Sequence, residues 1–140
     1  MKVATSYFYQ IRNFKPNMIP VSTAMSDPAW FRPPQGKQWY IDKRGIVCGL
    51  RYEPLIVQPL GTPDEYRQLL ETVDFEKLVK AFDYCSNKFR PLPFDDGVND
   101  PIIVLMVYEA PNNDFSERSA LQDYFTSHGY ECKELEYPIK

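Results

Sequence analysis

Ile102-Ile103-Val104-Leu105-Met106-Val107 is the stretch on which the fold turns. A continuous apolar run rich in β-branched residues reads as a strand covered on both faces, because a strand with one wet face would alternate. The residues C-terminal to this run complete a unit. Residues 108–118, Tyr-Glu-Ala-Pro-Asn-Asn-Asp-Phe-Ser-Glu-Arg, make a polar turn leading into a helix, with Asp114 and Glu117 at capping-box spacing. Ala120, Leu121, Tyr124 and Phe125 give that helix an apolar stripe, and His128-Gly129 reads as a last turn with glycine at the stop. Residues 130–137 form a final strand whose charges place it near an edge. Strand, helix and strand in this order make a right-handed crossover with the two strands parallel.

Toward the N-terminus, residues 2–9 are rich in Val, Thr, Tyr and Phe and read as a first strand, broken at Asn13-Phe14-Lys15-Pro16-Asn17. Residues 18–23 make a short second strand, and Pro20 argues for an edge position because it cannot donate to a ladder. Thr62-Pro63-Asp64-Glu65 opens a helix with a capping box and a proline in the first turn. Asp74 caps a second helix in which Phe75, Leu78, Val79, Phe82 and Phe89 line one face, with Pro91 and Pro93 ending it. Between strand and helix lies a loop-rich excursion over residues 28–60, carrying Trp30, Phe31, Trp39, Tyr40 and Tyr52 among prolines. A hairpin is expected inside it, with Asp42-Lys43-Arg44-Gly45 as the turn. The whole reads as one α/β domain, residues 1–140, with a mainly parallel sheet.

Composition narrows the function classes. Sixteen Lys plus Arg against 19 Asp plus Glu give a net charge of -3, which argues against a broad nucleic-acid footprint. One histidine removes two-histidine metal sites, and Cys48, Cys85 and Cys132 have no Cys-x-x-Cys spacing. Free thiols, no secretory leader and no membrane-length apolar run point to a cytoplasmic protein without membrane contact. No metal or cofactor is expected.

A ligand site on such a fold belongs outside the carboxyl ends of the strands, beside helix N-termini. That position is the 108–118 turn. Its helix start favours an anion, and Arg118 can clamp phosphate or carboxylate in bidentate fashion. Tyr108, Glu109, Asn112, Asn113, Ser116 and Arg118 are the candidates there, joined by Ser6 and Tyr7 from the first strand and Ser22 from the second if those strands are parallel to 102–107. The plainer account is that Asn112 and Asp114 cap, and that Arg118 pairs with Glu117 or Asp114. His128 stands at the far end of its helix from Ser116, about 18 Å away, so the two cannot share a triad. The aromatics of the excursion, interleaved with Arg32, Lys37, Lys43, Arg44 and Arg51, invite a base-stacking platform. The plainer account pins the loop to the body by its rings.

Three groups of residues resemble a known family. Thr5-Ser6-Tyr7-Phe8, then Ile19-Pro20-Val21-Ser22 with Pro28-Ala29-Trp30-Phe31, then 102–109 with Ser116-Glu117-Arg118, are similar to the "domain of unknown function 488" family. The resemblance covers both ends and implies a Rossmann-like three-layer fold, a site at Tyr108, Glu109 and Arg118, and an origin in bacteria or their phages. It departs where that family has Cys-His before the arginine, since Phe115, Ser116 and Glu117 stand here. Two functions from different classes are therefore expected. One is a domain binding a small anionic ligand, a nucleotide or sugar phosphate, with Glu109 as acid/base if it is catalytic. The other is a non-catalytic, phage- or mobile-element-encoded protein that holds a host protein partner through residues 28–58. A homodimer is compatible with either.

Overall fold

The run 102–107 is covered on both faces: Ile103 through Val107 are at most 1% exposed. The computed structural model describes residues 1–15, 17–57, 62–88, 100–108 and 117–136. In chain order its elements are β1 (Lys2–Tyr7), β2 (Met18–Ser22), β3 (Tyr40–Ile41), β4 (Val47–Cys48), α1 (Pro63–Glu71), α2 (Phe75–Lys88), β5 (Ile102–Val107), α3 (Glu117–Ser127) and β6 (Cys132–Glu134). The main sheet has the order β2-β5-β1-β6 and every pairing in it is parallel. Lys2 and Met18 both stand opposite Ile102, and Ser6 and Ser22 both stand opposite Met106. The carboxyl ends of β1, β2 and β5 are therefore level with one another. Pro20 lies on edge strand β2, where a missing donor is tolerated.

Alternation along β5 divides the core into two layers. Ile103, Leu105 and Val107 pack with Tyr66, Leu70, Leu78, Phe82, Leu121 and Phe125 of the three α-helices. Val104 and Met106 face the other way, against Phe8, Ile11, Phe14, Phe31, Ile46 and Cys48. The fold is thus a three-layer α/β domain. Its described α-helices cover one face of the sheet; the 3-10 turns Phe8–Asn13 and Ala29–Phe31, with Ile46 and Cys48 of the hairpin, cover the other.

Local signals account for most boundaries. Thr62 Oγ1 accepts from the Glu65 amide at 3.2 Å, and Asp74 Oδ1 accepts from Lys77 N at 3.1 Å, each satisfying an orphan donor at a helix start. After α3, Gly129 at φ +88° lets its own N–H reach Thr126 O while Tyr130 N–H reaches Phe125 O. That pair of bonds is the Schellman closure, which needs a residue in the left-handed region. In the hairpin, Asp42 Oδ1 accepts from the amides of Arg44 and Ile46 at 2.8 and 3.0 Å, so the expected turn forms around it.

Two boundaries differ by more than one residue from the sequence reading. The first strand stops at Tyr7 instead of Tyr9, because Phe8–Asn13 coils into a 3-10 helix. Phe8, Ile11 and Phe14 recur every third residue and all are buried, which is the period of that helix and not of a strand. The final strand is only Cys132–Glu134, since it pairs with β1 alone over Val3, Ala4 and Thr5. Phe89, Pro91, Pro93 and Asp114 lie outside the described residues.

Gly49, at the end of β4, has φ +87°, and a Cβ there would sit 3.1 Å from the Pro33 ring. Gly49→Ala should lower unfolding free energy by about 1–2 kcal/mol, combining left-handed strain with a ring contact that must give. Urea denaturation checks this, and an unchanged midpoint would contradict it.

Candidate functional site

The connections leaving β1 and β5 run in opposite directions. From β1 the chain passes through Phe8–Asn13 to β2 at one edge, and from β5 it passes through α3 to β6 at the other. The first connection packs in the Phe31 layer and the second in the helical layer. Adjacent parallel strands whose connections part in this way leave a crevice above their carboxyl ends, the usual ligand position in open α/β sheets. Tyr7 and Tyr108 flank it.

Polar side chains are buried around that crevice. Thr5, Ser6, Ser22 and Thr23 are 0% exposed, Glu117 is 3% exposed, and Asp27 and Arg118 are each 8% exposed. Burying a polar group costs free energy unless it is hydrogen-bonded, so such a gathering must be wired together. It is, in two networks separated by the sheet.

On the helical side, Arg118 Nε donates to Glu134 Oε1 at 2.6 Å. Thr5 Oγ1 donates to the same oxygen at 2.8 Å and accepts from Gln122 Nε2 at 2.8 Å. The Arg118 guanidinium carbon stands 5.9 Å from the centre of the Tyr7 ring. Thr23 Oγ1 contacts both Met106 O, at 3.1 Å, and Glu117 Oε1, at 3.4 Å. Strands β1 and β6, helix α3 and the end of β2 are thereby tied at one level.

On the other side, the Ser22 hydroxyl donates to Asp27 Oδ1 and accepts from Ala24 N at 3.2 Å. Arg51 of the excursion pairs with the same Asp27 oxygen at 2.7 Å, and donates to Ala24 O at 3.1 Å. Serine, aspartate and arginine so placed fasten the excursion to the end of β2. Ser6 lies on this face, level with Ser22 and separated from it by Met106.

The structure brings together five of the residues expected at the site. Ser6, Tyr7, Ser22, Tyr108 and Arg118 all stand at the carboxyl ends of the parallel strands. They do not share one surface. Tyr7 and Arg118 belong to the helical side, whereas Tyr108 is 55% exposed with its ring 5.8 Å from that of Phe8. Tyr7 Oη accepts from Gln10 at 2.7 Å. Glu109, Asn112, Asn113 and Ser116 lie outside the described residues. His128 is at the other end of α3, its ring stacked 3.9 Å from that of Phe75.

Several residues of the networks are not among the candidates from sequence, Asp27, Gln122 and Glu134 chief among them. Asp27-Pro28 looks like turn punctuation, and Glu134 looks like a solvated charge in an edge strand. Burial raises the Glu134 carboxyl above the ordinary glutamate value, with the Thr5 hydroxyl and Arg118 opposing the shift. Burial likewise pushes the thiols up, Cys48 to about 11 and both Cys85 and Cys132 to about 12. They stay protonated and weakly nucleophilic near neutrality. Among the described residues no group of three or more His, Cys, Asp or Glu is placed to hold a metal ion. No described helix is long and apolar enough to cross a membrane.

Fold and site together define a small α/β protein with a parallel main sheet and polar networks buried at the carboxyl ends of its strands. The chain matches no protein-family model, no curated protein and no solved structure.

Glu134 holds its proton to higher pH in the folded chain than in the unfolded one, so its titration lowers stability as pH rises past the ordinary value of 4.5. Glu134→Gln should remove that slope. It should leave stability at neutral pH unchanged or slightly raised, because the amide oxygen still accepts from Arg118 and Thr5 and no buried carboxylate has to stay ionised. Urea melts across a pH series measure both, and an unaltered slope would contradict the assignment.

Proposed function

We propose that this protein binds a small anionic ligand, of the nucleotide or sugar-phosphate class, in the crevice above β1 and β5 and beside the start of α3. One observation carries the reading. Seven polar or charged side chains, each 8% exposed or less, gather at the carboxyl ends of adjacent parallel strands. Stability alone would be served as well by apolar residues there, since buried polar networks are seldom worth more than the packing they replace. Arg118 supplies the cationic end. Its Nε bond to Glu134 orients the planar guanidinium. A planar fork held in this way suits bidentate phosphate recognition.

The resemblance to the "domain of unknown function 488" family points to the same place, because its motif positions Ser6, Tyr7, Ser22, Tyr108 and Arg118 meet at one end of the sheet. It also underlies the Rossmann-like reading of the fold. If the protein is an enzyme, Glu109 is the acid/base group and Arg118 the anion clamp. A second reading, a protein partner held by residues 28–58, is favoured by one feature. Trp30 is 46% exposed and stands edge-on to Phe8 beside exposed Tyr108, an aromatic patch next to the crevice. Most other apolar side chains of that segment are committed to the body: Phe31, Ile46, Cys48 and Leu55 are all buried.

Ribose phosphate at about 100 times its Kd should raise Tm by about 5–10 °C, and Arg118→Ala should abolish the shift. Arg118→Lys keeps the charge without the fork and should retain only part of it, with circular dichroism showing that both variants fold. The absence of any shift with ribose phosphate or mononucleotides would contradict the proposal.

A further inference from the structure

The aromatic residues of the excursion do not form one platform. Phe31 turns into the layer beneath the sheet, while Trp39 and Tyr52 turn the other way and face α2. Between them and the helix lies a cleft of about 560 Å³, within the size range of small-molecule sites. Phe82, at 2% exposure, forms part of its floor, and the Tyr52 ring stands edge-on to it at 5.3 Å. Tyr84, 64% exposed, stands on the α2 side.

Charge at the cleft has one sign. Arg51 and Lys88 line it, and none of the described lining residues is acidic. The two cations differ in availability. Arg51 is balanced by Asp27 at 2.7 Å and Glu53 at 3.7 Å. Lys88 has no carboxylate partner among the described residues. Its ammonium lies 5.9 Å from the centre of the Trp39 ring and 5.6 Å from that of Tyr84, so it sits between the excursion wall and the helix wall. It also contacts Tyr84 Oη at 3.4 Å.

We propose that this cleft is a second binding site, separate from the crevice at the carboxyl ends, and that it takes a planar aromatic ring bearing an acidic group, of about mononucleotide size. The ring stacks on Trp39 and Tyr52, as bases stack on exposed aromatic faces. The acidic group reaches Lys88, which exchanges weak contacts with two rings for a full ion pair. Arg51 fixes the shape of the cleft through Asp27 and does not serve as the anion's partner.

Calorimetric titration of the full chain with AMP, indoleacetate, adenosine and ribose phosphate tests this. A ringed anion should bind saturably, and the better of AMP and indoleacetate names the source of the acidic group. Adenosine lacks the acid and ribose phosphate lacks the aromatic ring, so at this site each should bind at least about tenfold more weakly. Lys88→Ala should weaken the ringed anion's effect on Trp39 about tenfold, while Arg118→Ala, which removes only the heat of the crevice, should leave the Trp39 response in place. In Trp30→Phe the sole remaining tryptophan is Trp39, and its fluorescence should change saturably with AMP at the same Kd; for indoleacetate, itself an indole, the isotope-labelled Trp39 indole N–H resonance is read. If that variant does not fold, the Trp39 indole N–H resonance of the unsubstituted chain reports the same event. Three outcomes would overturn the proposal: no saturable response of Trp39 to either ringed anion, equal affinity at Trp39 in Lys88→Ala, or loss of the Trp39 response in Arg118→Ala instead. The last would move the ringed ligand to the crevice and leave the anion-binding reading standing.

Discussion

The burial of residues 103–107 on both faces and along both edges is the constraint on which the rest of the structure depends. A strand with no polar side chain must find a complete ladder and two apolar layers, or leave backbone groups unsatisfied in a dry interior. The chain meets that demand with β1 on one side and β2 on the other, both level with Ile102 at their first residues. Because the strands are parallel and in register, their carboxyl ends finish together. The polar residues that end them have no choice but to meet.

That meeting has consequences for both stability and chemistry. Thr5, Arg118, Gln122 and Glu134 come from β1, α3 and β6, and their bonds close the helical side of the sheet's end. Ser22, Asp27 and Arg51 fasten the excursion to the other side. Each network places a carboxylate beside an arginine. Charge is therefore balanced locally, and the arginines are held in fixed orientations without being neutralised by a mobile ion. The excursion in turn is rigid enough to shape a cleft against α2, because Phe31 and Leu55 anchor it and the Tyr66 hydroxyl donates to Leu55 O at 2.6 Å.

Much of this is legible in the sequence, for identifiable reasons. Signals that act within one or two turns are clear: Thr62 with Glu65, Asp74 before α2, Asp42 in the hairpin and Gly129 after α3. The uninterrupted apolar character of 102–107 announces a doubly covered strand, and that places the candidate site at its carboxyl end. Interactions that the fold creates at long range are not legible. Arg118 and Glu134 are sixteen residues apart and meet only because β6 pairs with β1. Asp27 looks like a turn residue until Arg51, from a segment with no regular pattern, is folded over it. The three-residue spacing of Phe8, Ile11 and Phe14 is present but sits between a strand and a short connection, where period three is easily taken for an extension of period two.

Whether the crevice above β1 and β5 receives an anion is tested most directly by amide NMR shifts during titration with ribose phosphate. Saturable shifts are expected, confined to the carboxyl ends of the strands and the start of α3, with Tyr7, Thr23, Tyr108 and Arg118 among the largest. Saturable shifts centred elsewhere, or none at millimolar ligand, would contradict anion binding in the crevice.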